Sequence, residues 1–159
     1  MLLKVFVPGH ARSKGSLKPV VDWRRRKVWL EEQVTLSKPW RKTVQAAVVR
    51  EVREKTPVLA MGSDGIWKAY PGPVAVSLDF AFERPKTGIG AGLRFPVVAA
   101  GPNAIGDLDK LIRNILDALQ VQSGAGLITN DANVVGIHAN KTYAQEGERA
   151  GVHILVETL

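Results

Sequence analysis

The sequence predicts an α+β fold, a mixed β-sheet with two main helices in a single compact domain spanning residues 1–159. Three observations predict it. Val74, Val76, Leu78, Phe80 and Phe82 alternate along one segment, the period of a strand with one buried face. Leu108, Leu111, Ile112, Ile115, Leu116 and Leu119 recur at three- and four-residue spacing, the period of a helix with one buried face. The chain order is strand, helix, strand, helix, strand, strand, which suits helices laid against a mixed sheet.

The elements follow in sequence. Residues 2–7 read as a first strand, stopped by Pro8-Gly9. Residues 10–19 form a loop in which Arg12, Lys14 and Lys18 surround Ser13 and Gly15-Ser16. Residues 20–30 suit a hairpin with Arg24, Arg25 and Arg26 at its tip and Trp23 and Trp29 flanking it. A helix begins at Ser37 or Lys38 and runs to about Lys55. Pro39 suits its first turn, Trp40, Val44, Ala47, Val48 and Val52 give its apolar stripe, and Thr56-Pro57 ends it. Residues 60–72 are a Gly- and Pro-bearing loop, followed by the strand 74–82. Residues 83–105 are rich in Gly, Ala and Pro without periodicity, a long loop expected to be functional or mobile. The acidic helix comes next, then a Gly-rich turn at 123–126, a strand at 133–143 and a last strand at 152–157. Neither an internal repeat nor an interdomain linker is evident.

Charge is unevenly placed. Residues 1–55 hold 14 Lys/Arg against 5 Asp/Glu, a net of +9, whereas residues 56–159 hold 8 against 10, a net of −2. The asymmetry suggests a polyanionic partner gripped by one part of the chain and acted on by another, although a solvated basic surface has the same composition. Hydrophobic residues make up 45%, enough for a globular core. With no cysteine, disulfides, thiolate nucleophiles and Cys-ligated zinc are excluded. No apolar run has membrane-spanning length, and the N-terminus lacks a signal peptide's apolar region, so a cytoplasmic location without membrane contact is expected.

The segment from Asp107 to Asp117 carries the chemistry. Asp109, Arg113 and Asp117 fall on one stripe beside the apolar face, and Asp107 sits where a carboxylate can cap free helix N–H groups. A further acid, Asp131, follows in an Asn130-Asp131 turn. Asp107, Asp109 and Asp131 offer only oxygen ligands, which suit Mg²⁺ or Mn²⁺ rather than zinc. Such ions promote phosphodiester cleavage, and Arg113 could stabilise charge on the phosphate. The same spacing also describes an ordinary helix with a capping Asp107 and an Asp109–Arg113 ion pair, because D-x-D alone is a weak motif.

Other features are less specific. His138 and His153 lie in expected strands and read as sheet histidines; His10 lies in the first loop. Gly88, Gly90 and Gly92 superficially resemble a phosphate loop, but the Lys-Ser/Thr ending and the following helix are missing. The segment Trp23-Arg24-Arg25-Arg26-Lys27-Val28-Trp29 interleaves cations with indoles, which suits phosphates and unpaired bases, or else a solvated turn whose tryptophans pack inward.

Together, residues 106–119, the turn Asn130-Asp131-Ala132-Asn133-Val134-Val135 and Lys141 resemble the RusA family of Holliday junction resolvases. Val7-Pro8-Gly9 with Lys14-Gly15, and Phe82 to Lys86, are similar to further parts of the family pattern, so the resemblance covers most of the chain. It implies a RusA-like fold and a small Mg²⁺-dependent endonuclease, of a kind often carried by phages or prophages. It implies Asp107, Asp109 and Asp131 as catalytic metal-binding acids, with Arg113 standing where the family usually has a catalytic lysine. Asp117 matches a supporting or structural acid one turn on, and Lys141 a basic position on the following strand. There are departures. Lys110 replaces a usual Asn, Asn130 a usual acid, and Asn133 a usual Gln, while Gly106 stands where Pro or a basic residue is common. Arginine stays protonated and cannot act as a base, so Arg113 is expected to act electrostatically.

The resulting expectation is a homodimeric endodeoxyribonuclease that resolves four-way junctions by paired cuts, in DNA recombination and repair. Arg12, Lys14, Lys18, Arg24, Arg25, Arg26, Arg84 and Lys86 are the expected DNA contacts. Two rivals stand beside it: a broader nuclease for flaps and forks, and a non-catalytic DNA-binding protein.

Overall fold

The computed structural model describes residues 1–15, 17–32, 35–55, 68–86, 89–97, 104–122 and 124–159. Its strands are β1 (Leu3–Pro8), β2 (Leu17–Asp22), β3 (Lys27–Glu32), β4 (Val74–Phe82), β5 (Val134–Tyr143) and β6 (Gly151–Thr158). Its α-helices are α1 (Ser37–Lys55) and α2 (Leu108–Leu119). The architecture is α+β, as expected.

The main sheet has the order β1-β6-β4-β5. β4 and β5 are parallel, and the other pairings are antiparallel, so the sheet is mixed. The parallel pair requires a crossover, and α2 supplies it. The alternation legible in β4 is real: Val74, Val76, Leu78, Phe80 and Phe82 are all buried. They share one face with Leu3, Val5 and Val7 of β1 and Val152, Ile154 and Val156 of β6. Both helices cover that face, α1 through Trp40, Val44, Ala47, Val48 and Val52, and α2 through Leu111, Ile115, Ala118 and Leu119. Each large side chain buried here contributes about 1.5–3 kcal/mol. The opposite face carries Lys4, Asp79, His138 and His153, all exposed. His153 stacks on Phe6 with ring centroids 4.5 Å apart.

The hairpin expected around 20–30 forms, extended to residues 17–32, as a separate two-stranded sheet. Asp22 Oδ1 accepts the backbone N–H groups of Arg24 and Arg25, both at 3.0 Å, and Arg26 closes the turn at φ 51°. The tryptophans do not pack inward: Trp23 is 85% exposed and Trp29 46%.

The expected long loop 83–105 contains a short 3-10 turn, Ile89–Gly92. Arg84 holds it, donating to the carbonyls of Leu93 at 2.8 Å and Ala91 at 3.4 Å while its guanidinium lies 4.4 Å from the Tyr143 ring centroid. Much of the loop expected at 60–72, Ser16 and Ser123 lie outside the described residues. Among the described residues, no helix is long and apolar enough to cross a membrane.

Candidate active site

α2 positions the acids. Asp107 is its N-cap residue, but its side chain makes no capping hydrogen bond. Capping was the expectation; instead Lys110 Nζ draws the carboxylate away, at 2.9 Å. This pairing raises the Lys110 pKa above its ordinary value, through the hydrogen bond and charge of Asp107. The lysine that departs from the family pattern thus touches the first acid of the site.

Asp109 and Arg113 lie on the exposed side of α2, one turn apart. Among the ion pairs of the described residues, the alternative pairing of these two does not occur. Asp117 does not share their exposure. It is 7% exposed, because Lys14 Nζ lies 2.6 Å and Arg41 Nη2 3.6 Å from Oδ2. The expected stripe therefore splits: its first two members face outward, and its third anchors the basic loop.

Asn114 completes that anchor. It is fully buried, accepts from Arg41 Nε at 2.8 Å, and donates from Nδ2 to the Arg12 carbonyl at 2.7 Å. Lys14 N–H also donates to the Lys110 carbonyl at 3.0 Å. Arg12, Ser13 and Lys14 are so fixed against the acidic end of α2. A Cβ at Gly106 would run into the Ser13 side chain, which explains a glycine at that position. From the other side, Lys141 Nζ donates to the Gly106 carbonyl at 3.3 Å and ties β5 to the same segment.

Sequence reasoning did not single out Asn114 and Arg41. The signal was present for Asn114, a polar residue inside an apolar stripe, which needs buried partners.

Asp131 opens a second 3-10 turn, Asp131–Asn133. The two asparagines that depart from the family pattern build this turn. Asn130 Oδ1 accepts the Ala132 N–H at 2.9 Å, Asn133 Oδ1 accepts the Asn130 N–H at 3.0 Å, and Asn133 Nδ2 donates to the Pro71 carbonyl at 2.7 Å. Asp131 is left exposed on a rigid support.

The topology separates Asp131 from the other two acids. The N–H groups of Leu127 and Ile128 bond to the Leu119 carbonyl at the C-terminal end of α2, and Asp131 follows directly. Asp107 lies at the opposite end of α2, whose 12 residues span about 18 Å. The contact from Lys141 to Gly106 agrees, since Lys141 lies about 23 Å up β5 from Val134. Among the described residues, no three Asp, Glu or His side chains gather closely enough to hold an ion. Asp107 and Asp109 suit a hard divalent cation by donor type, and both are exposed at the N-terminal end of α2.

Of the other expected DNA contacts, Lys18, Arg24, Arg25 and Arg26 are exposed on the hairpin. Arg12, Arg84 and Lys86 line one cleft.

The model of the RusA family, described as endodeoxyribonuclease RusA, matches residues 17–156. The chain belongs to the RusA family. The match spans the hairpin, both helices, β4, β5 and most of β6, so the resemblance carried by residues 106–141 extends over nearly the whole fold. RusA members are endodeoxyribonucleases, and this chain is an enzyme of that class. The rival reading as a non-catalytic DNA-binding protein is thereby set aside. No curated protein matches the chain.

Proposed function

We propose that this RusA-family enzyme is a Mg²⁺-dependent homodimer that resolves four-way DNA junctions by paired cuts, in recombination and repair, in the cytoplasm. A phage or prophage setting rests on the family resemblance alone. The observation that carries the reading is the placement of Asp107, Asp109 and Arg113 on the open side of one helix, with Arg12 and Lys14 fixed beside it.

A bound divalent ion would supply Lewis acidity and a nucleophilic water. Asp107 and Asp109 are its proposed ligands from one copy. Arg113 is placed to neutralise charge that develops on the scissile phosphate, and the loop at Arg12 and Lys14 to hold the strand through its phosphates.

The distance between Asp131 and the other acids supports the dimer. Two copies related by a two-fold axis can bring Asp131 of each against the Asp107–Asp109 pair of the other. The same symmetry yields two sites for two nicks.

The test is a synthetic four-way junction incubated with Mg²⁺, with chelator, and beside a linear duplex. Symmetric nicking of the junction alone, lost in chelator, is the expected result. Equal cutting of flaps and forks would establish the broader branched-DNA nuclease instead, and cutting of the linear duplex at the same rate would overturn structure selectivity.

A further inference from the structure

Lys110 Nζ lies 2.9 Å from Asp107 Oδ2, so a carboxylate proposed to hold a divalent ion already holds a cation of the chain's own. We propose that Lys110 is a tethered competitor of that ion: it keeps the ion's place at Asp107 in the free enzyme, and thereby sets how much metal the enzyme needs. While it stays there, it also screens Asp107 from the phosphates of the DNA. The inference rests on the metal-site reading above and names the residue that governs loading of that site.

The backbone brings the two side chains together. Asp107 is the N-cap residue of α2 and Lys110 follows three positions on, the spacing at which side chains of one turn meet. The Asp107 carbonyl accepts the Leu111 N–H at 3.0 Å, and the Lys110 carbonyl accepts the Lys14 N–H at 3.0 Å, so both main chains are fixed. An N-cap carboxylate ordinarily accepts from the free N–H groups of the first turn. Asp107 makes no such bond, and the ammonium is the partner it has instead. The charge of Asp109 attracts the same ammonium and that of Arg113 repels it, so the four groups share one electrostatic neighbourhood. The Lys110 side chain is 41% exposed and that of Asp107 49%, so an ion can reach the carboxylate from solvent without any opening of the fold.

Electrostatics make the pairing exchangeable rather than permanent. An exposed ion pair is worth a factor of about five at most, enough to raise the metal concentration required but not enough to exclude the ion. A divalent ion and an ammonium repel each other at a shared oxygen, so Lys110 and the ion cannot both hold Asp107. Lysine suits the task because its charge is compact and its four-carbon stem flexible, so it can leave without disturbing the helix. Asn130 acts in the same direction, since it stands where the family pattern has a further acid. Both departures make the site less negative. They weaken its hold on a cation and reduce its repulsion of a phosphate backbone.

The experiment reads metal binding apart from turnover. Mn²⁺ is titrated into the whole protein without DNA, and the free ion is followed by electron paramagnetic resonance, for the wild type, Lys110→Asn and Lys110→Arg. Lys110→Asn should bind Mn²⁺ about fivefold more tightly, the most that loss of an exposed ion pair can give, whereas Lys110→Arg, which keeps the cation, should stay close to the wild type. In chelator, Lys110→Asn should bind a four-way junction more weakly than the wild type. The side chain itself is read from the lysine Cε signals in proton–carbon correlation spectra, that of Lys110 being the one missing from Lys110→Asn. This signal should shift as Mg²⁺ is added, over the concentrations at which Mg²⁺ displaces Mn²⁺. Unchanged or weaker Mn²⁺ affinity or unchanged junction binding in folded Lys110→Asn, or a Lys110 signal unmoved by saturating Mg²⁺, overturns the role of Lys110 alone. Failure of the wild type and both variants to bind Mn²⁺ overturns it together with the metal-site reading.

Discussion

Asn114 Nδ2 donates to the Arg12 carbonyl at 2.7 Å, a buried bond that helps the acidic helix fix where the basic loop lies. Its oxygen meanwhile accepts from Arg41 at 2.8 Å. Asn114→Ala removes one side of both bonds inside a buried site and is expected to destabilise the fold by about 1–3 kcal/mol. Urea unfolding measures this. A loss below about 0.5 kcal/mol would show that the loop is held without it.

The acids make a prediction that separates one copy from two. Asp109→Asn and Asp131→Asn should each abolish cleavage while sparing junction binding, since removing a negative charge near phosphates does not weaken attraction. Mixing the two inactive variants should restore nicking, because one site of the heterodimer then has both wild-type contributions. A mixture that stays inactive, although the copies exchange, would place all three acids within one copy.

Arg113 separates charge from proton transfer. Arg113→Lys should retain substantial turnover, and Arg113→Ala should lose roughly 100-fold or more, the scale for one donor to a transition state. Single-turnover nicking on saturating protein reads the chemical step apart from binding. Full activity of the alanine variant would remove Arg113 from the reaction.

The hairpin makes a prediction about salt. Neutralising Arg24, Arg25 and Arg26 together should weaken binding to every DNA form and reduce the slope of log K against log salt by about 0.9 for each phosphate that the variant no longer neutralises. Asp22 holds the turn through backbone N–H groups, so the replacement side chains leave its geometry in place. An unchanged slope would make the tip a solvated turn.

His10 makes stability depend on pH. Its folded pKa lies below the ordinary 6.5, so the unfolded chain binds the proton more readily. The contribution of the neutral ring is fully present above 6.5 and is lost as pH falls through the folded value. Thermal unfolding between pH 7.5 and 4.5 should show a decline in this window that is smaller in His10→Phe. Parallel curves would mean that other groups govern the decline.

Much of this was legible in the sequence because the signals were local. Pro39 marked the first turn of α1, and the period-two run gave the bounds of β4 to the residue. The site was legible in composition and less so in arrangement. Asp107 was read as a cap because the sequence does not reveal that Lys110 competes for its carboxylate. Asp117 was placed beside Asp109 because helical spacing cannot foresee Lys14 and Arg41 arriving from distant elements. Likewise, the short sequence distance from Asp109 to Asp131 conceals the length of helix between them.

The strand order has a consequence for synthesis. β6, the last of these strands to leave the ribosome, lies between β1 and β4, pairing Leu3 with Val156 and Val76 with the same Val156. Until it is made, β1 has no neighbour in the sheet, and loop-closure entropy must be met across almost the entire length. A message truncated anywhere before residue 151 therefore encodes a chain whose sheet cannot close.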